Sequence, residues 1–220
     1  MPKITEVTPQ KKNPHRFNIY LDGQFVFGAD ENLMVNRRLV VGKELSTSDV
    51  EHLIKETEVG KLMERMYRLF SIRQRSEKEV RDYLKNLSFK RRLKEQEEIS
   101  SFIVDTIVAR LKQLKFINDE EFAKAWVSAR RKSKQKGVRV LKQELFQKGI
   151  NKEIIEEVIN DTGYVISEAE LAKQALEKRM KIWKNLPTLE FKKKAYEFLT
   201  RRGFEFSVIK EVVENVLQKR

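Results

Sequence analysis

Residues 130–159 read "RRKSKQKGVRVLKQELFQKGINKEIIEEVI", and residues 195–213 read "AYEFLTRRGFEFSVIKEVV". Set in register on Gly149 and Gly203, 54 residues apart, they match without a gap at six positions: Leu141, Leu145, Gly149, Ile150, Ile154 and Val158 stand against Ala195, Leu199, Gly203, Phe204, Val208 and Val212. The spacing predicts two helices joined by a tight turn. Apolar residues at i and i+4 put one face of each helix inward, glycine supplies the left-handed residue that ends the first helix, and the apolar residue after it seals the turn.

Outward from this pair, a further amphipathic helix precedes each copy, carrying Phe122 and Trp126 in one case and Ala172, Leu176, Met180 and Trp183 in the other. Each unit should therefore hold three helices. A first copy fits more loosely on Val80, Leu84, Ser88, Phe89, Ile103 and Ile107, with Ser88 in the place of the glycine. Ten extra residues lie between Ser88 and Ile103, including "KRRLK" (90–94). Ser76 with Glu79, Asn118 with Glu121 and Ser167 with Glu170 each place a capping side chain three residues before a carboxylate and mark helix starts.

The N-terminal stretch differs. In "RFNIYLDGQFVFG" (16–28) two apolar runs flank Asp22-Gly23, the pair that type I′ hairpin turns prefer because both central residues need positive φ. Strands are expected near 15–21 and 24–28, with a third near 3–8. Because a two-stranded ribbon is marginal alone, Phe17, Ile19, Phe25 or Phe27 should lean on residues 30–57, where "DVEHLIKE" (49–56) reads as a short helix. The expected fold is mainly α: tandem three-helix repeats, three in number, behind a small β-hairpin/α extension. The expected divisions are 1–57, 58–118, 119–162 and 163–220.

Eight glycines and four prolines in 220 residues favour long helices over a many-stranded sheet. With no cysteine, disulfides, thiolate catalysis and Cys-based zinc sites are excluded. The segment "MPKITEVTPQ" lacks the layout of a signal peptide, and no run of about 18 apolar residues occurs. A soluble cytoplasmic protein with no membrane partner is the expectation. The formal charge of +13, from 46 Lys plus Arg against 33 Asp plus Glu, favours polyanionic partners or acidic protein surfaces.

Enzymatic chemistry finds little footing. Gly42-Lys43 is followed by Glu44 and lacks the upstream glycine and the Ser/Thr that a phosphate loop uses to cradle phosphates and magnesium. His15 and His52 are the only histidines and are far apart. Asp119, Glu120 and Glu121 sit at a helix start, where negative charge complements the helix dipole, and Glu153, Glu156 and Glu157 read as a solvated face. No catalytic residue, metal ligand or cofactor is expected. Trp126 and Trp183 lie on apolar stripes, which favours core packing over base stacking, with Arg130 laying its stem along the Trp126 ring and its guanidinium outward.

The basic run is another matter. Arg130, Arg131, Lys132, Lys134, Lys136, Arg139 and Lys142 place seven like charges in thirteen residues with no acid at i+4 to offset them. Arg130, Arg131, Lys134, Lys136, Arg139 and Lys142 are expected to form one cationic surface for binding, and Lys178, Arg179, Arg201 and Arg202 are the alternative face. A helix-turn-helix module reading base edges is weakly supported, since no helix carries the required mixture of Asn, Gln and Arg. Sequence-independent DNA binding and a helical protein scaffold both stay open.

"RQRSEKEVRDYL" (73–84), "FINDEEFAKAWVSARRKSKQKG" (116–137) and "LKQELFQKGINKEIIEEVI" (141–159) resemble the regulatory protein RecX family. The hairpin "YLDGQFVFG" and "LVVGKELSTSDV" resemble the N-terminal extension of one branch of it. Ser88 and Lys115 depart from the resemblance, standing where the family often has glycine. The resemblance implies a non-enzymatic regulator of recombination and DNA repair, built of three-helix units. It would lodge in the groove of the RecA–DNA filament and restrain ATP hydrolysis and strand exchange. The partners implied are the RecA filament and, weakly and without sequence preference, single- or double-stranded DNA, met by a monomer. Arg73 and Arg75, in the first matching segment, join the basic residues above as candidate RecA- or DNA-binding positions.

Overall fold

The computed structural model of the protein describes residues 1–11, 13–161 and 167–218. The chain forms two compact units: Met1–Gln74 with Arg81–Phe116, and Arg75–Val80 with Ile117–Arg220. The expected division at 162/163 lies outside the described residues.

The first unit opens with an antiparallel sheet, β1 (Ile4–Gln10), β2 (Asn13–Leu21) and β3 (Gln24–Asp30), in the order β1-β2-β3. Asp22 and Gly23 join β2 to β3 with φ of 48° and 84°, as the expected turn requires. The sheet buries Ile4, Ile19, Leu21, Phe27 and Ala29 against Leu39, Leu45 and Leu53, with Phe17 partly covered. Phe25 does not join them. A bulge opposite Ile19 and Tyr20 shifts the register so that Phe25 pairs with Tyr20 while Phe27 pairs with Ile19. The extra residue turns Phe25 to the outer face, edge-on to the Tyr20 ring at 5.9 Å.

After α1 (Glu31–Asn36), the short helix expected over 49–56 proves to be the start of α2 (Thr47–Ile72), which runs unbroken across position 57/58. Ser46 and Asp49 form a reciprocal capping box at its start. Leu53 enters the sheet core, and Leu62, Met63 and Met66 continue the buried stripe along α2, which packs on both β3 and α4 (Ser101–Gln113). α3 (Glu77–Arg92) corrects the first-copy register. Ser88 is not a turn residue: the helix passes through it and "KRRLK" extends it, with Arg91 bonded to Glu58 at 2.6 Å. The left-handed residue falls later, at Glu95 (φ 55°), and the buried Ser88 hydroxyl accepts from Ile99 N at 3.0 Å, fixing the approach to α4.

The second unit carries two cores. Phe122, Ala123 and Val127 of α5 (Asp119–Lys134) meet Leu141 and Leu145 of α6 (Val138–Gln147) and Ile155, Val158 and Ile159 of α7 (Lys152–Asn160). Leu171, Ala175 and Leu176 of α8 (Glu168–Met180) meet Phe191, Ala195 and Leu199 of α9 (Thr188–Arg202) and Ile209, Val212 and Val213 of α10 (Phe206–Gln218). The glycine turns repeat bond for bond. Gly149 and Gly203 have φ of 78° and 88°. Their amides donate to Phe146 O and Thr200 O, and the next amides, of Ile150 and Phe204, donate to Leu145 O and Leu199 O. This is the double bond that closes a helix end on a left-handed residue. Lys115 (φ 59°) ends α4 in the same way, with Phe116 N on Leu111 O.

Helix starts follow the expected signals. Ser76, Asn118 and Ser167 each accept from the amide three residues on, at Glu79, Glu121 and Glu170. A joint between successive three-helix cores also recurs within this unit. Gly137 N donates to Arg202 O at 2.9 Å and Arg139 N to Gly203 O at 3.1 Å, so the start of α6 is seated on the end of α9. The start of α3 is seated on the end of α6 likewise, with Ser76 Oγ donating to Lys148 O at 2.7 Å. The glycines allow the approach. A Cβ on Gly203 would lie 2.5 Å from Val140 N, and one on Gly149 would lie 2.6 Å from Lys78 Cβ.

Candidate functional site

The basic run divides by its partners. Arg130 Nε donates to Glu144 Oε2 at 2.8 Å, Arg131 pairs with Glu168 at 3.4 Å, and Lys142 pairs with Glu156 at 2.6 Å. Glu144 also accepts from Trp126 Nε1 at 2.8 Å. The Arg130 guanidinium, expected to point outward, lies over the Trp126 ring at 4.4 Å from its centroid, because Glu144 draws it inward. Trp126 is half-buried and packs on Phe122, so it is a core-edge ring, as expected. Glu156, expected as plain solvated surface, has the Lys142 ammonium as its partner.

Glu168 is the busiest of these carboxylates. It accepts from Val138 N at 3.2 Å at the start of α6 and from Arg131. Burial pushes its carboxyl above the usual range, and the proximity of Glu205 adds to this, while the Val138 amide and Arg131 pull the other way. Arg131 is therefore a structural tie between the second and third three-helix cores as well as part of the basic run.

Lys134, Lys136 and Arg139 are different. Among the described residues no carboxylate oxygen lies within 4.0 Å of any of them, and the same holds for Lys178, Arg179 and Arg202. The structure brings these two sets together. Gln135 ends α5 in a left-handed conformation, is buried, and accepts from Lys178 Nζ at 3.1 Å. The 137–139 segment is bonded to Arg202 and Gly203. Arg202 and Arg179 both lie over the Phe198 ring, at 4.6 and 5.3 Å from its centroid. Arg202 Nη1 is buried and has no hydrogen-bond partner among the described residues. Burial, helped by the charge of Arg179, holds the Arg202 guanidinium below its ordinary pKa. Arg201 makes only a 3.9 Å contact with Glu197. Arg73 and Arg75 precede α3: Arg73 Nη1 donates to Gln74 O at 2.8 Å, and Arg75 Nε is buried without a hydrogen-bond partner among the described residues.

A cleft of about 1020 Å³ lies in the first unit and is lined by both histidines. Three ion pairs lie along it: His15 with Glu31, Arg16 with Glu64 and Arg37 with Glu56. Among the described residues no group of three or more His, Asp or Glu is placed to hold a metal ion, and no helix is long and apolar enough to cross a membrane. At Asp119–Glu121, Asn118 Oδ1 accepts from Glu120 N and Glu121 N, and Asp119 Oδ1 accepts from Glu77 N at 3.0 Å, which are the contacts of a helix start.

Known proteins resemble this chain over most of its length. The Regulatory protein RecX of Bacillus subtilis (strain 168) is 37% identical over 98% of this chain and 78% of its own. The chain belongs to the RecX family. RecX domain models match at residues 2–46 (Regulatory protein RecX N-terminal domain), 118–159 (RecX, second three-helix domain) and 167–213 (RecX, third three-helix domain). The Regulatory protein RecX of Listeria innocua serovar 6a is 33% identical over 94% of this chain and 73% of its own. A crystal structure of regulatory protein RecX superposes with a TM-score of 0.72 at 27% identity, covering 97% of this chain and all of that one. That of RecX from Lactobacillus salivarius, at 22% identity and a TM-score of 0.58, covers 71% of this chain and 95% of its own, and agrees in fold.

In this RecX fold the sequence reading missed Gln135, Phe198, Glu144 and Glu168. Phe198 and Arg202 are four residues apart on α9, the same spacing that disclosed Trp126 and Arg130, and this could have found them. Nothing local marks Gln135, and the carboxylates come from other helices.

Proposed function

We propose that the protein is a non-enzymatic regulator that binds the groove of the RecA–DNA filament and inhibits RecA ATP hydrolysis, filament growth and strand exchange. Membership of a family whose relatives carry the name Regulatory protein RecX supports the class. The observation that carries the reading is the set of cations without carboxylates on the second unit: Lys134, Lys136 and Arg139 with Lys178, Arg179 and Arg202. A surface of this kind suits a groove lined by phosphate and acidic protein. Arg73, Arg75, Arg130, Arg131, Lys142 and Arg201 extend it. The protein acts as a cytoplasmic monomer, and the three-helix repeats divide near 58, 119 and 163.

The same surface favours a second reading, sequence-independent binding to DNA alone, so the test compares the two targets. Lys134, Lys136 and Arg139 are changed together to Glu, leaving Arg131 in place because it is tied to Glu168. The expected result is loss of inhibition in a DNA-dependent RecA ATPase assay with nearly unchanged melting, since Lys134 and Arg139 are exposed, Lys136 is half-buried, and charges of this kind without a partner contribute little to folding. Wild-type protein that leaves RecA turnover unchanged while binding bare DNA tightly would overturn the regulatory reading in favour of the second.

A further inference from the structure

Three helix ends converge on one small region of the second unit. α5 ends at Gln135, which holds Lys178 from the last turn of α8. Arg179 comes from the same turn, and Arg202 from the last turn of α9. Cations at helix C-termini offset the partial negative charge of the terminal carbonyls, and that accounts for a basic residue at each end. It does not account for two guanidiniums on one ring, with Arg202 Nη1 buried and holding no hydrogen-bond partner among the described residues. An unspent buried donor is destabilising, and like charges with no carboxylate oxygen within 4.0 Å among the described residues add to it. The arrangement is also held in place beforehand: Arg202 O accepts from Gly137 N, Gly203 O accepts from Arg139 N, and Phe198 supports both planes.

We infer that Arg179 and Arg202, with Lys178 and Arg139 at the rim, form a binding site for a backbone phosphate of nucleic acid. The chemistry favours phosphate over a protein carboxylate. Each guanidinium is a planar fork of donors. One phosphodiester offers two unbridged oxygens that can accept from both guanidiniums, and the cations that continue beside them, Lys134, Lys136, Arg139 and Lys178, suit a partner whose negative charge repeats along its length. Phe198 is only 7% exposed. It supports the arginines and has no free face for a base, so the contact carries no sequence preference. The site deepens the function proposed above but stands on its own geometry.

The test is fluorescence anisotropy of labelled oligothymidine across a salt series, with wild-type protein and Arg179→Gln/Arg202→Gln. Loss of two single-strand phosphate contacts should make the slope of log K against log salt shallower by about 1.4, at about 0.7 for each contact. Arg202→Lys keeps the charge and removes the fork, so affinity should fall with the slope retained. If the double variant fails to fold, Lys178→Gln/Arg179→Gln, in which both residues are exposed, should still flatten the slope. A folded variant with the wild-type slope overturns the site, as does one that loses RecA inhibition while its oligothymidine slope is unchanged. Wild-type protein without effect on RecA, but with a slope that flattens on substitution, would sink the regulatory reading and leave the site standing.

Discussion

Replacing Gly203 by alanine tests the joint between the second and third three-helix cores. Gly203 has φ of 88°, a region that costs an L-residue about 1–2 kcal/mol. The new Cβ would also lie 2.5 Å from both Val140 N and Val140 Cγ2, so α6 must move, and overpacking of this kind costs about 1–3 kcal/mol. The two effects together cost about 2–5 kcal/mol, a large share of the roughly 5–15 kcal/mol that holds a domain. Both tryptophans, Trp126 and Trp183, lie in the second unit, so their fluorescence in urea follows that unit selectively. With a slope of about 2 kcal/mol per molar urea, the midpoint should fall by about 1–2.5 M. Gly203→Asn separates the causes, because asparagine tolerates the left-handed backbone but brings the same Cβ. It should recover only about 1 kcal/mol. A Gly203→Ala midpoint within about 0.3 M of wild type would refute the close approach, and full recovery by asparagine would refute the packing half of it.

Lys115 holds a left-handed conformation that glycine adopts without strain. Lys115→Gly should therefore stabilise the first unit by about 0.5–1 kcal/mol after the added freedom of the unfolded chain is deducted, read by far-UV circular dichroism in urea. A loss of stability would count against strain at that turn. Burial raises the Glu168 carboxyl above its reference of 4.5, so the folded protein holds this proton more tightly than the unfolded chain. The stability linked to it is present below pH 4.5 and is lost as pH rises through the higher folded value. Across that window Glu168→Gln should remove one falling component from the pH dependence of the tryptophan-monitored transition. A variant with a profile parallel to wild type would show that Glu168 does not titrate there.

The glycine-centred repeat was legible because everything that encodes it is local: apolar residues at i and i+4, a left-handed glycine, and the two amides after it. The first copy was misread at Ser88 because an insertion carries no marker of where it is accommodated. "KRRLK" opens with three residues that favour helix, so α3 runs on past Ser88 to Arg92 and stops inside the insertion. For the same reason the helix at "DVEHLIKE" was read short: only Gly60 interrupts the pattern before Ile72, and α2 runs through it. In the sequence Phe17, Ile19, Phe25 and Phe27 are alternatives for the sheet's inner face, and the bulge that turns Phe25 outward has no local marker. The candidate site shows the same limit. Charge counting along the chain finds Arg130, Arg131 and Lys142, but their partners Glu144, Glu168 and Glu156 lie 14, 37 and 14 residues away, at separations fixed by tertiary packing. What remains after those pairs are subtracted, Lys134, Lys136 and Arg139, is visible only in the fold.

The recurring joint gives the second unit a polarity. At each joint an earlier helix is the guest and a later glycine turn is the host: Ser76 sits on Lys148, then Gly137 and Arg139 sit on Arg202 and Gly203. Support therefore passes from the C-terminal end towards the N-terminal end. Removing α8–α10 would strip the start of α6 of its acceptors and of the Glu168 cap, whereas the turn after α9 closes on its own helix through Gly203 N to Thr200 O and Phe204 N to Leu199 O. In register with α6, α9 begins about one turn early, at Thr188, so that the position matching Gly137 is the buried Phe191 inside a helix. Among the described residues the start of α9 therefore does not repeat the bonds by which Gly137 and Arg139 seat α6. Between the described cores, each helix start is thus supported by the turn that comes later in sequence, and the stability of α6 and α3 depends on helices made after them.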